Sequence, residues 1–243
     1  MTVPSNLPHP EPRQLVSIVI PAYNEAPTIA HVLRRVCDLD LRTEVLVVDD
    51  GSADDTASVV ETATADLPNV RLIRQPRNQG KGAAVRTGIA ESRGDIVVIQ
   101  DADLEYDPRD LPKLLAPLLE GVADVVYGSR LRGGEPQRAH LFWHYAGNRF
   151  LSLLTNVLYN TTISDMEVGY KAFRGDLIRS LELVSDDFGF EPEVTAKVLR
   201  TPGVRLYEIP ISYYGRSYAE GKKIGWRDGV HALVALVRFR FGS

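Results

Sequence analysis

From Leu15 to Arg130 the chain alternates two rhythms. Continuous blocks of Val, Ile and Leu ("LVSIVIPAY", "EVLVVDD", "VRLIRQ", "DIVVIQDAD", "ADVVYGSR") are separated by Ala26–Cys37, Asp54–Ala65, Gly80–Ser92 and Pro108–Glu120, where apolar positions recur at helical spacing. Blocks without polar alternation suit strands covered on both faces, and helical crossovers between them enforce mainly parallel pairing. The expected class is therefore α/β, with helices on both faces of a mainly parallel central sheet.

The rhythm breaks after Arg130, where "RGGEP" leads into the aromatic stretch "HLFWHYAGNRFLSLLTNVLYN", residues 140 to 160. The stretch predicts one or two helices carrying Phe142, Trp143, Phe150, Leu154 and Leu158, either as ordinary core or as a surface for lipid. The final "WRDGVHALVALVRFRFGS" reads as an amphipathic helix whose central apolar run is too short to span a bilayer. At the other end, Pro4, Pro8, Pro10 and Pro12 mark residues 1–14 as a flexible leader. The expectation is one domain over 15–243, with a first half to residue 130 and a second half from 131.

Composition narrows the classes. A chain of 243 residues, 44% hydrophobic and 25% charged, has core enough to fold without staples. One cysteine, Cys37, excludes an internal disulfide, and the chain reads as intracellular. A net charge of −4 argues against a general nucleic-acid binder.

Candidate chemistry gathers where strands are expected to end, which is where open α/β sheets bind ligands. "DADLE" sets Asp101, Asp103 and Glu105 at one strand end, and oxygen donors without His or Cys favour a hard cation such as Mg²⁺ or Mn²⁺. An EF-hand loop fails because its Gly and terminal Glu would fall at Tyr106 and Pro112. A solvated acidic loop remains the alternative for the D-x-D alone. "VVDDGSADDT" places Asp50 beside Gly51, with Asp54 a candidate helix N-cap. "PAYNEA" offers Tyr23 to stack on a flat base and Glu25 to accept hydrogen bonds from it. In "NQGKGAA", glycines flank Lys81 before a helix; this suits an anion site without the P-loop spacing, although a surface charge would look the same.

Taken in order, "SIVIPAYNE", "VVDDGSADDT", "NQGKGAA", "DADLEYDP" and "GSR" resemble glycosyltransferase family 2, whose fold is of the GT-A type. "GSRLRGG", "DMEVGYKAFR", "FGFEPEV" and "EIPISYYGRSYAEGKKIGW" look like its dolichol-phosphate mannose synthase branch. The resemblance implies a nucleotide diphosphate sugar donor of the GDP-mannose or UDP-glucose type, held by Pro21, Tyr23, Glu25, Asp50, Lys81, Asp101 and Ala102. It gives Asp101, Asp103 and Glu105 to a Mg²⁺ or Mn²⁺ ion. It also implies a polyprenyl phosphate acceptor and a peripheral place on the cytoplasmic membrane face, on the membrane surface or with a membrane-protein partner.

The implied reaction is an inverting displacement by a phosphate oxygen, which is already anionic and needs cations rather than a general base. Arg216 and Lys222, from the branch's Arg-x-Tyr-x-x-x-Lys, are expected beside Asp103 as catalytic groups. Arg130 of "GSR" and Arg149 are expected near the acceptor. Asp165 and Glu193 would orient sugar hydroxyls or acceptor-site cations, or act as base for a hydroxyl acceptor. Two alternatives stay open: transfer to a glycan or small-molecule hydroxyl, and a non-catalytic sugar-nucleotide-binding subunit of a membrane complex.

Overall fold

The computed structural model describes residues 14–138, 141–215 and 226–241. The expected leader, but for Gln14, lies outside them, as do Arg216 and Lys222. Each of the first four apolar blocks forms a strand followed by a helix: β1 (Val16–Ala22), α1 (Ile29–Cys37), β2 (Thr43–Asp49), α2 (Thr56–Thr64), β3 (Val70–Arg74), α3 (Lys81–Glu91), β4 (Ile96–Ile99) and α4 (Leu111–Leu119). The fifth is β5 (Val125–Ser129). Most of β1 and all of β4 and β5 are buried, as expected for strands covered on both sides.

Beyond β5 come α5 (Phe142–Tyr159), β6 (Lys171–Arg174), α6 (Gly175–Ser180), α7 (Phe190–Arg200), β7 (Leu206–Pro210) and α8 (Trp226–Phe241). The two late strands were not visible as apolar blocks. They join one seven-stranded sheet in the order β3-β2-β1-β4-β6-β5-β7. Strand β6 runs antiparallel to both β4 and β5, and every other pair is parallel. Both halves of the chain thus share one sheet. Strands β2, β1 and β4 are neighbours in one direction, with Ala22 level with Asp49, so their carboxyl ends open on one edge.

The aromatic stretch is a single helix, and the core reading holds for Leu154, Leu158 and Tyr159, which pack half-buried against the core, but not for Phe142, Trp143 and Phe150. Leu151, Ser152 and Thr155 form the buried face of α5, whereas Phe142 is 67%, Trp143 81% and Phe150 57% exposed. Helix α8 packs Ala232 and Leu236 inward but leaves Val230, Val234, Val237 and Phe241 exposed. Among the described residues no helix is long and apolar enough to cross a membrane.

Candidate functional site

The shared edge of β1, β2 and β4 opens into a cleft of about 420 Å³. Pro21, Tyr23, Glu25, Asp50, Lys81, Asp101, Ala102, Asp103, Glu105 and Arg130 all line it. The strand ends deliver the first residues, and the turn after β3 delivers Lys81. Asp50 accepts hydrogen bonds from the backbone N–H groups of Gln79 and Gly80 at 2.8 and 2.9 Å, which ties that turn to β2. Burial raises its pKa despite those two donors. Gly80, at φ +102°, lets the turn enter α3 where a Cβ would strike the Asp186 carbonyl.

Lys81 is no loose surface charge. Its ammonium sits 2.9 Å from Asp101 Oδ1 and 3.2 Å from Glu191 Oε1. Burial opposes its charge, but the two carboxylates outweigh burial and raise its pKa well above the usual lysine value. Asp54 is not the expected N-cap of α2, since the capping position is Asp55; from one residue earlier its carboxylate accepts from the Thr56 N–H at 3.0 Å.

The expected metal triad is not assembled. Among the described residues no three His, Cys, Asp or Glu side chains converge as a ready cage. Asp103 accepts from the Glu105 N–H at 3.0 Å, and Glu105 Oε2 accepts from the Tyr213 hydroxyl at 2.8 Å. Asp101 and Asp103 still face the cleft as hard oxygen donors, which suits a divalent cation completed by substrate phosphates.

Arg130 is held rigidly. Asp165 is fully buried and accepts from Arg130 Nε at 2.7 Å, from Nη2 at 2.8 Å and from the Arg130 N–H at 2.9 Å. The guanidinium also lies 5.2 Å from the centre of the Tyr213 ring. Burial works against the charge of Asp165, yet Arg130 keeps its pKa below the ordinary aspartate value. Asp165 therefore orients a cation and does not line the cleft.

Two acceptor expectations need correction. Glu193 is fully buried on α7, where it accepts from the Val184 and Ser185 N–H groups at 2.8 and 2.7 Å and pairs with Lys197 at 2.6 Å. It pins the loop before α7. Arg149 is exposed on α5, while His144 and Asn148, one helical turn apart, line the cleft. The residues missed include these two with Asn78, Tyr106, Glu167, Gly169, Asp187, Glu191 and Tyr213. Glu167 and Gly169 stand inside "DMEVGYKAFR" and Glu191 inside "FGFEPEV", so the motifs held the signal but the wrong acidic positions were selected. Burial and the neighbouring Glu191 push the pKa of Glu167 up to about 8.

A second groove of about 480 Å³ shares Arg130, Asn148 and Tyr213 with the cleft and runs past Arg138, Phe142 and Tyr145.

Residues 17–181 match the family model "Glycosyl transferase family 2". The chain belongs to this family. It is 33% identical over 236 residues to the undecaprenyl-phosphate mannosyltransferase of Micrococcus luteus, covering 92% of this chain and 93% of that one. It is 30% identical over 219 residues to an undecaprenyl-phosphate 4-deoxy-4-formamido-L-arabinose transferase of Pseudomonas syringae, covering 88% of this chain and 62% of that protein. Among solved structures, glucosyl-3-phosphoglycerate synthase of Mycobacterium tuberculosis, crystallised with Mn²⁺ and UDP-glucose, superposes at a TM-score of 0.74. That match has 22% identity and covers 94% of this chain and 79% of the other, which establishes the shared GT-A fold.

Two predictions arise within this family 2 site. Gly169 packs so tightly on the D-x-D that an added Cβ would lie 2.5 Å from Asp101 Oδ2 and 3.1 Å from Tyr106 Cε2. Gly169→Ala should push the Asp101 carboxylate off Lys81, weakening metal-dependent nucleotide binding on the order of tenfold. Calorimetry with Mn²⁺ and UDP or GDP reads this, and unchanged affinity would refute it. The second concerns pH: a carboxyl whose folded pKa is raised binds a proton that the unfolded chain releases. The stability from Glu167 is therefore full below about 4.5 and lost as pH rises through about 8. Glu167→Gln should flatten that decline in thermal unfolding scans; an unaltered slope would show that Glu167 is ordinarily ionised.

Proposed function

We propose that this chain transfers a hexose from a nucleotide diphosphate sugar to a polyprenyl phosphate. The observation that carries the proposal is the junction of the two grooves, where the largely covered cation Arg130 faces both the strand-end cleft and a groove leading past Phe142 and Tyr145. An anionic acceptor with an apolar tail calls for such a cationic floor and apolar exit. A hydroxyl acceptor would call for a base, and Asp165 and Glu193, the carboxylates expected in that role, are both committed to other partners. The relatives named for undecaprenyl-phosphate substrates support the same reading.

On this reading Tyr23 stacks on the base, Glu25 accepts from it, and Lys81 and Arg130 hold the two phosphate-bearing substrates against their mutual repulsion. Arg216 and Lys222 would add further positive charge. A divalent ion, Mg²⁺ or Mn²⁺, held by Asp101 and Asp103 would supply Lewis-acid stabilisation of the departing diphosphate. The phosphate oxygen of the acceptor attacks the anomeric carbon, the bond to the diphosphate breaks, and no proton moves. The test is incubation with a panel of UDP- and GDP-hexoses, Mn²⁺ and a short-chain polyprenyl phosphate. A lipid-extractable phosphohexose is expected; absence of any such product across the panel would refute the proposal.

The exposed apolar stripes on α5 and α8 support docking on a membrane surface, where such an acceptor resides. On α8, Phe239 is half-buried beneath Lys197, whereas Phe241 with Val230, Val234 and Val237 forms the exposed stripe. Arg238 is exposed beside it and suits anionic headgroups. Sedimentation with anionic vesicles at low salt should show binding that falls on the order of tenfold in each of Trp143→Ser and Phe150→Ser. Equal sedimentation of both variants and wild type would remove this surface from the account.

A further inference from the structure

Glu105, the third carboxylate of "DADLE", has no task in the mechanism above. It lines the cleft half-buried, and its Oε2 accepts from the Tyr213 hydroxyl at 2.8 Å. Its carbonyl accepts from the Tyr214 N–H at 2.9 Å, so one residue of the first half grips two consecutive residues of the second. Its own N–H donates to Asp103 at 3.0 Å, which ties the grip to the D-x-D. Burial, reinforced by Glu105, raises the pKa of Tyr213 above the ordinary tyrosine value although Arg130 opposes it, so the hydroxyl stays protonated and donates.

Tyr213 stands where the two halves of the site meet. It lines both grooves, its ring lies 5.4 Å from that of Tyr106, and the Arg130 guanidinium sits 5.2 Å from its centre. The backbone on either side is pinned. The Ser212 N–H donates to Asp110 at 2.6 Å, the Tyr213 N–H to the Pro136 carbonyl at 3.2 Å, and the Gly215 carbonyl accepts from Arg138 Nη1 at 3.1 Å. Those bonds fix where residue 213 sits but leave its ring free to choose a rotamer. The bond from Glu105 at the far end of the ring makes that choice.

We propose that Glu105 is a positioning residue which, through Tyr213, holds the acceptor-side cation Arg130 in register with the D-x-D, and that this, not metal ligation, is its task in the cleft. The proposal rests on the reading of Arg130 as the partner of the acceptor phosphate. An in-line displacement needs both substrates held to within a fraction of an ångström, and a misplacement of about 1 Å costs on the order of a hundredfold in rate. Glu105 links the two sides directly: its N–H is on the donor-side Asp103 and its carboxylate on the tyrosine that packs against Arg130. A hydrogen bond to a charged acceptor is strong enough to hold that register.

Tyr213→Phe decides it, because phenylalanine removes the hydroxyl and a tyrosine hydroxyl paired with Glu105 is no metal ligand. Calorimetry with Mn²⁺ and UDP or GDP should give a Kd within about threefold of wild type in both Tyr213→Phe and Glu105→Ala. At saturating donor, kcat/KM for a short-chain polyprenyl phosphate should nevertheless fall at least about tenfold in each. The two substitutions together should do little more harm than either alone, since they remove the same bond. Glu105→Gln should recover most of the activity, because a carboxamide oxygen also accepts from the hydroxyl; a merely structural defect would take donor affinity down with transfer. A smaller loss in Tyr213→Phe, additive losses in the double variant, or Glu105→Gln as impaired as Glu105→Ala would overturn the proposal. So would a greater than threefold weakening of diphosphate binding in Glu105→Ala, which would return Glu105 to the metal. If Glu105→Ala does not fold, Tyr213→Phe and Glu105→Gln carry the test. Wild-type protein that binds the diphosphate but transfers nothing to the polyprenyl phosphate would instead sink the acceptor reading, and the positioning role with it.

Discussion

Replacing Asp103 by Asn is expected to abolish metal-dependent sugar transfer, a loss of about a thousandfold, while the protein stays folded. Asp103 sits half-buried in the cleft and accepts a hydrogen bond from the Glu105 N–H, which an Asn carbonyl oxygen accepts equally well. What Asn removes is the negative charge. A neutral oxygen holds a divalent cation far less strongly, and the charge developing on the leaving diphosphate then goes uncompensated. Turnover with Mn²⁺ and the thermal unfolding midpoint decide the matter together. Near-normal turnover would take Asp103 out of the metal site, and a large drop in the midpoint would make it a structural residue.

The largest stability effect is expected at Asp165, where replacement by Ala should cost about 3–5 kcal/mol in denaturant unfolding. Asp165 is fully buried, and the side chain of Arg130 is only 13% exposed. Deleting the carboxylate strands a guanidinium that has lost two hydrogen bonds and its countercharge, and takes the acceptor from the Arg130 backbone N–H. A double variant, Arg130→Met with Asp165→Leu, should recover much of that stability, since no bare charge remains, yet stay inactive because the cationic floor is gone. A single Asp165→Ala variant as stable as wild type would mean that Arg130 swings to solvent and is not fixed by this pair. An active double variant would remove Arg130 from the acceptor site.

The part of the site that was legible in the sequence is the part built on parallel strands. Covered strands read as unbroken apolar blocks, and a polar residue ending such a block must lie at the ligand-binding edge, so Tyr23, Asp50, Asp101 and Asp103 could be placed in advance. Strands β6 and β7 were illegible for opposite reasons. "KAFR" hides a buried lysine whose ammonium is satisfied by backbone carbonyls, and "LYEIP" lies at the sheet edge with only partial burial.

The second half of the site fails at single-residue resolution because helices rotate each residue by about 100°. Choosing Glu193 over Glu191 selected the opposite side of α7, where the carboxylate secures a loop. Choosing Arg149 for its charge passed over His144 and Asn148, which share the cleft-facing side of α5. Amphipathic spacing predicts that one face of α5 is covered but not which one, and Phe142, Trp143, Tyr145 and Phe150 proved to be on the open face. Arg216 and Lys222 lie outside the described residues, so their proposed roles depend on mutagenesis.

The most direct measurement offers one sugar nucleotide, Mn²⁺ and two acceptors of equal chain length, a polyprenyl phosphate and the corresponding polyprenol, in one reaction, with products read by mass spectrometry. Phosphate-linked hexose alone is the predicted product, formed by wild type and lost in Asp103→Asn and Arg130→Ala. Hexose appearing on the polyprenol, or transfer to the phosphate that persists in Arg130→Ala, would contradict the proposed function.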